Sequence, residues 1–237
     1  MSTFVLIHGA WHGGWVWREV AEALRAEGHR VSALTLTGLG EREHLLKPEV
    51  GLSTHVEDVA RHMEIEELED VIAVGWSYGG MVLTGLLSRA TERIGTAIYL
   101  DAFIPEDGKA LSDYASAEQE NIKKAQAAGE ITRAVPDDAY QTRWGITDEE
   151  VIAKNVPRLS PQPLKTLSEP VHAPKGLPDG IRYIYVKLAG EKATPFLPFY
   201  EQTRADPRFE TFQHEDGHMI MLTSPDWLIA LFHKIAE

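Results

Sequence analysis

The chain has no cysteine, so disulfides and thiolate metal sites are excluded. It has no unbroken apolar run of roughly 18 residues, the length a membrane-spanning helix needs. Its start, MSTFVLIHG, has neither a basic leader nor a long apolar stretch, and so does not read as a secretory signal. Together these absences make the cytoplasm the expected compartment. Positive charge is also scarce: 23 Lys and Arg stand against 36 Asp and Glu, a formal charge of -13. Such a surface repels phosphate backbones and anionic lipid headgroups, so neither nucleic acid nor a membrane is expected as partner. Neither H-E-x-x-H nor a comparable metal-ligand cluster occurs, although His8 and His12 lie close together. No metal and no cofactor are expected, and the expected partner is a small-molecule substrate. A homodimer is an expectation from the commonness of symmetric pairs alone.

What the 237 residues do contain is an alternation of short apolar runs and helical spacings, with 43% hydrophobic content to fill one core. Strands are expected at Phe4 to Ile7, Arg30 to Leu36, Val71 to Val74, Gly95 to Leu100, Arg182 to Leu188 and Arg208 to Phe212. Helices are expected at Val16 to Arg25, at Thr54 to Ile65 with Ser53 or Thr54 as N-cap, at Met81 to Leu87, at Phe196 to Arg204 and at Pro225 to Ala236. This order reads as an α/β fold, a mostly parallel sheet flanked by helices, in one domain over 1–237. From Pro105 to about Gly180 the strand pattern stops, and prolines break a polar stretch that includes a helix near Glu118 to Ala128. A structureless segment of that length is rare in a compact domain. Part of it is therefore expected to be a small helical cap over the sheet, inserted after the fourth expected strand at about 105–180.

The strongest local signal is Gly75-Trp76-Ser77-Tyr78-Gly79, a G-x-S-x-G sequence between an expected strand and an expected helix. A sharp turn there exposes the Ser77 hydroxyl at the carboxyl end of the sheet, and the glycines let strand and helix approach. The backbone N–H of Tyr78, at the helix start, faces developing negative charge. The second such donor is expected from the loop after the first strand, at Ala10. A serine hydroxyl needs a base, and His218 follows the last expected strand, with His214 as competitor. The third member must accept from the imidazole Nδ1–H. Glu191, after the strand ending at Leu188, stands first, and Asp101, after the strand ending at Leu100, is the alternative. Trp11, Phe103 and Trp144 are candidate pocket walls, suited to a flat or aryl ester. A carbamate ester is open to the same chemistry.

These residues carry a family resemblance. The opening Phe4-Val-Leu-Ile-His-Gly-Ala-Trp-His-Gly-Gly-Trp15, with Thr35-Leu-Thr-Gly-Leu-Gly-Glu-Arg42, Tyr99-Leu-Asp-Ala-Phe-Ile-Pro-Glu-Asp-Gly108 and Asp216-Gly-His-Met-Ile-Met-Leu222, resembles the α/β hydrolases. The branch is the one that groups small bacterial esterases with plant methylesterases, the salicylate-binding-protein-like enzymes, and hydroxynitrile lyases. The resemblance covers nearly the whole chain and is weakest in the cap. It implies an ester hydrolase working through an acyl-enzyme, with Ser77 as nucleophile, His218 as base, and Ala10 and Tyr78 as oxyanion donors. The family's acid position falls on Glu191, where the family usually has Asp. Trp76 stands where the family usually has His. The lyases of the family carry Lys after the base and Thr in the oxyanion loop. Here Met219 and Ala10 or Trp11 occupy those places, which favours hydrolysis. A lyase, or a non-catalytic binder of small molecules on the same fold, is the alternative.

Overall fold

Six of the apolar runs form one parallel sheet. In the computed structural model, which describes residues 1–137, 144–189 and 194–237, the strands are β1 (Thr3–Ile7), β2 (Arg30–Leu34), β3 (Val71–Trp76), β4 (Ile94–Leu100), β7 (Arg182–Lys187) and β8 (Phe209–Gln213). Their order across the sheet is β2-β1-β3-β4-β7-β8, with every pairing parallel. Parallel neighbours require crossovers, and helices supply them. They are α1 (Arg18–Ala26), α2 (Leu52–Ile65), α3 (Gly79–Arg89) and α7 (Leu197–Ala205), followed by α8 (Ile220–Thr223) and α9 (Pro225–Ala236). Helix α1 shows why these segments coil: Val20, Ala21 and Leu24 are buried, while Glu19, Glu22 and Arg25 face water. Helix α9 buries Leu228, Leu231, Phe232 and Ile235 at the same spacing. β3 is buried over its whole length, as expected of a central strand covered on both faces.

Between β4 and β7 the chain forms α4 (Ser116–Ala127), α5 (Glu149–Asn155) and α6 (Leu164–Ser168). Two short strands, β5 (Thr132–Arg133) and β6 (Gln162–Pro163), pair antiparallel here. No strand was expected in this stretch, because two residues are too few to leave an alternating pattern. The cap also changes the start of α2. That helix begins at Leu52 with Gly51 as N-cap, rather than at Thr54. Thr54 Oγ1 accepts from Gly51 N–H at 3.2 Å, and Glu169, at the end of α6, accepts from Ser53 N–H at 3.0 Å. The capping carboxylate comes from 116 residues away, so local sequence does not announce it. Among the described residues, no helix is long and apolar enough to cross a membrane.

Candidate active site

The strand order decides which loops meet. β1, β3 and β4 are adjacent, so the loops carrying Ala10, Ser77 and Asp101 leave the same carboxyl edge side by side, where open α/β sheets place their sites. Ser77 directly follows β3 with φ 56°, in the left-handed region where a non-glycine residue is held at a cost of about 1–3 kcal/mol. Its N–H donates to Leu100 O at 3.2 Å, and its carbonyl accepts from Gly80 N–H at 3.1 Å and Phe103 N–H at 3.3 Å. Position 79 must be glycine, because a Cβ there would stand 2.7 Å from Ile7 O. α3 then starts immediately, with Tyr78 as its N-cap.

The loop after β1 is held peptide by peptide. A Cβ at Gly9 would stand 3.0 Å from Ser77 Cβ, so the loop lies directly against the nucleophile candidate. His8 accepts Leu36 N–H on Nε2 at 3.1 Å, which leaves Nδ1–H to donate to Gly9 O at 2.8 Å. Gly9 O and Ala10 N–H belong to one trans peptide and point in opposite directions; His8 therefore aims the Ala10 N–H. In the next peptide, His12 Nδ1–H donates to Ala10 O at 2.7 Å. Burial pushes His8 down to about 4 and His12 to about 3, so both are neutral donors. Among the described residues, no hydrogen bond engages the N–H of Ala10 or of Tyr78. The Tyr78 side chain is fully buried and bonded to His55 Nδ1 at 2.8 Å, while His55 Nε2–H donates to Thr37 O at 2.8 Å. Burial raises the phenol far above its ordinary range and lowers His55 to about 4.

A second cluster, His218 with Asp101, is tied to Trp76, the residue before Ser77. His218 Nδ1 lies 2.7 Å from Asp101 Oδ2, and both side chains are buried. The second carboxylate oxygen, Oδ1, accepts Leu188 N–H at 3.2 Å. Asp101 has φ 42°, and its own N–H continues the sheet ladder to Val186 O at 2.7 Å. The turn that follows is held by Tyr185, whose hydroxyl donates to Ala102 O at 2.9 Å. Lys187, fully buried at the end of β7, donates to Leu188 O. Among the described residues, Asp101, the candidate that stood second in the sequence, is the carboxylate in contact with the histidine. Glu191, which stood first, lies outside the described residues. His214 does something else: its Nδ1 accepts Asp216 N–H at 3.1 Å, and its ring packs on Trp227 with centroids 4.4 Å apart.

Two aromatic residues hold His218, and neither role was read from the sequence. Trp76 donates its indole N–H to His218 O at 2.9 Å, with the rings 5.1 Å apart. The residue before Ser77 thus supports the loop of the base candidate. Phe196 stacks on the imidazole at 4.8 Å, nearly parallel at 9°. A single aromatic before a helix carries no such signal. The expected pocket residues fall into two groups. Trp11 and Trp144 pack together, centroids 6.2 Å apart, and Trp144 also meets His12 at 5.0 Å. Phe103 packs with Phe196 at 5.0 Å and Phe199 at 5.8 Å on the acid side. Met219, after His218, is fully buried. Two surface grooves of about 440 and 410 Å³, both reaching His172 and Ser88, touch none of these residues. Among the described residues, no three His, Asp or Glu side chains converge as metal ligands.

Comparison with known proteins agrees with this architecture. The family model described as "Alpha/beta hydrolase family" matches residues 4–231. A carbendazim hydrolyzing esterase of Nocardioides sp. (strain SG-4G) is 38% identical over 234 residues, 96% of this chain and 97% of that protein. Salicylic acid-binding protein 2 of Nicotiana tabacum is 38% identical over 104 residues, 44% of this chain and 40% of that protein. Among solved structures, an extracellular alpha/beta-hydrolase from a Paenibacillus species superimposes with TM-score 0.83 at 24% identity, covering 99% and 98% of the two chains. The chain belongs to the alpha/beta hydrolase family, in the branch that holds the Nocardioides esterase.

Proposed function

We propose that the chain hydrolyses small carboxylic or carbamate esters through an acyl-enzyme, with Ser77 as nucleophile, His218 as base and Asp101 as the acid that orients it. The observation that carries this reading is the 2.7 Å contact of Asp101 with His218 Nδ1, in a loop fastened to the residue before Ser77. With Nδ1–H given to Asp101, the other nitrogen, Nε2, is the base atom. It takes the Ser77 proton as Oγ attacks the ester carbonyl carbon. The carbonyl oxygen becomes anionic and is met by the N–H groups of Ala10 and Tyr78. Collapse expels the alcohol or phenol, which leaves with the proton from Nε2. Water then repeats the sequence on the acyl-enzyme and releases the acid. Asp101 holds the imidazole and stabilises the imidazolium that forms.

As pocket walls, Trp11 and Trp144, which pack together, and Phe103, which packs with Phe196, would suit a flat, aryl-containing substrate. The esterase name of the Nocardioides relative supports the same class. Met219 stands where the family's lyases carry a lysine, and its burial among apolar residues favours hydrolysis over lyase chemistry. The test is turnover of p-nitrophenyl esters and of an aryl carbamate. Wild type is expected to release p-nitrophenol, and Ser77→Ala to lose about three orders of magnitude or more. A Ser77→Ala protein of near-wild-type rate contradicts the proposal.

A further inference from the structure

Trp11 follows the oxyanion donor Ala10 and sits at φ 64°. Each of its backbone polar groups, and its indole, is bonded to the cap. Its N–H donates to Gln162 Oε1 at 2.9 Å, its carbonyl accepts Ser160 N–H at 2.9 Å, and its indole N–H donates to Arg133 O at 3.2 Å. Arg133 and Gln162 are paired residues of the β5–β6 ribbon, so one small unit of the cap makes two of these bonds, and Ser160, two residues before Gln162, makes the third. Gln162 is itself fully buried, and its amide nitrogen is fixed by donating to Thr166 Oγ1 at 2.6 Å. Thr166 in turn donates to Pro163 O at 2.7 Å.

Resting on the proposed function, we propose that Gln162 is a positioning residue for the oxyanion hole. The Ala10–Trp11 peptide is gripped at both ends, by His12 at its carbonyl and by Gln162 at its N–H. With both ends held, rotation about the Ala10 Cα–C bond is blocked. Ala10 is then kept where the preceding peptide, aimed by His8, presents its N–H to the reacting oxygen. Without the Gln162 acceptor, the buried Trp11 N–H loses this hydrogen bond, and the peptide is free to turn. That rotation swings Ala10 with it. The oxyanion hole is thereby completed by a residue of the cap, although no cap atom is required to touch substrate.

The role is read by separating transition-state from ground-state effects. Gln162→Met keeps the volume and removes the acceptor. For p-nitrophenyl ester turnover, kcat is expected to fall about tenfold to a hundredfold, less than or equal to the loss of an oxyanion donor itself. KM should stay within about threefold, and an aryl trifluoromethyl ketone, which forms a tetrahedral oxyanion on the serine, should bind more weakly by the same factor as kcat falls. The acidic limb of the pH–rate profile should not move, because His218 and Asp101 are untouched. A higher KM with kcat intact, or kcat loss with unchanged ketone affinity, overturns the proposal. If Gln162→Met does not fold, Thr166→Val decides: it releases the far end of the Gln162 amide and should give a smaller, kcat-confined loss, whereas wild-type kcat there overturns the role. Absence of ester turnover in the wild type itself would instead be a failure of the proposed function.

Discussion

The two halves of the candidate site are built by different means. On the nucleophile side, Ser77, Tyr78 and Ala10 are placed by backbone: a left-handed turn, a glycine against a carbonyl, and two peptides aimed by histidines within two residues of them. On the base side, His218 and Asp101 are placed by side chains from distant segments. Trp76 reaches across 142 positions to the His218 carbonyl, Asp101 across 117 to its ring, and Tyr185 across 83 to the turn after Asp101. The first construction tolerates almost no change of residue type at its glycines. The second is spread over several contacts, so single losses should be graded.

That contrast can be sharpened by substitution. The largest effect on the base side belongs to Asp101→Asn. An amide that donates toward Nδ1 favours the wrong tautomer, so kcat for ester hydrolysis should drop at least about a hundredfold with KM little changed. Stopped assays on protein checked by circular dichroism measure this, and a loss below about fivefold would move the acid role away from Asp101. Trp76→Phe is a milder break. It keeps a ring beside the imidazole and removes one hydrogen bond to His218 O, worth about 1 kcal/mol, so kcat should fall roughly fivefold. An unchanged rate would mean that the loop is held without the indole.

The smallest effect near neutral pH concerns stability. His8, His12 and His55 are neutral in the fold, with values of about 4, 3 and 4 against an ordinary 6.5. Above about 6.5 neither state carries the proton, so they cost nothing. As pH falls below that, the unfolded chain takes up protons that the fold refuses, and stability falls until the folded values are reached. Each group can withdraw roughly 3 kcal/mol by pH 4. Urea midpoints should be level from pH 8 to 7 and decline from pH 6.5 to 4.5. A level or rising midpoint over the lower range would show that these imidazoles are not held neutral.

The same contrast explains what could be read before the structure. The parallel sheet, the elbow at Ser77 and the loop of Ala10 follow from local pattern, because strand, turn and helix signals lie within a dozen residues of one another. The position of His218 was legible from its place after the last strand. Its carboxylate partner was not, since Asp101 and Glu191 both follow expected strands, and a single sequence does not show which of the two loops faces the imidazole. The strand order settles the neighbourhood, and the left-handed turn at Asp101 sends its carboxylate toward His218. Trp76 stood out only as a departure from the family's histidine, and Phe196 as the first residue of a helix. Gln162, in a two-residue strand, left no pattern at all, and its contact with Trp11 spans 151 positions.

The most direct test is the rate and site of labelling by an aryl fluorophosphonate, followed by intact mass and peptide mapping, on wild type, Asp101→Asn and Glu191→Gln. One adduct on Ser77 is expected, forming at least about ten times more slowly in Asp101→Asn and at near-wild-type rate in Glu191→Gln. No adduct on Ser77, or a slowing confined to Glu191→Gln, would contradict the Ser77, His218 and Asp101 assignment.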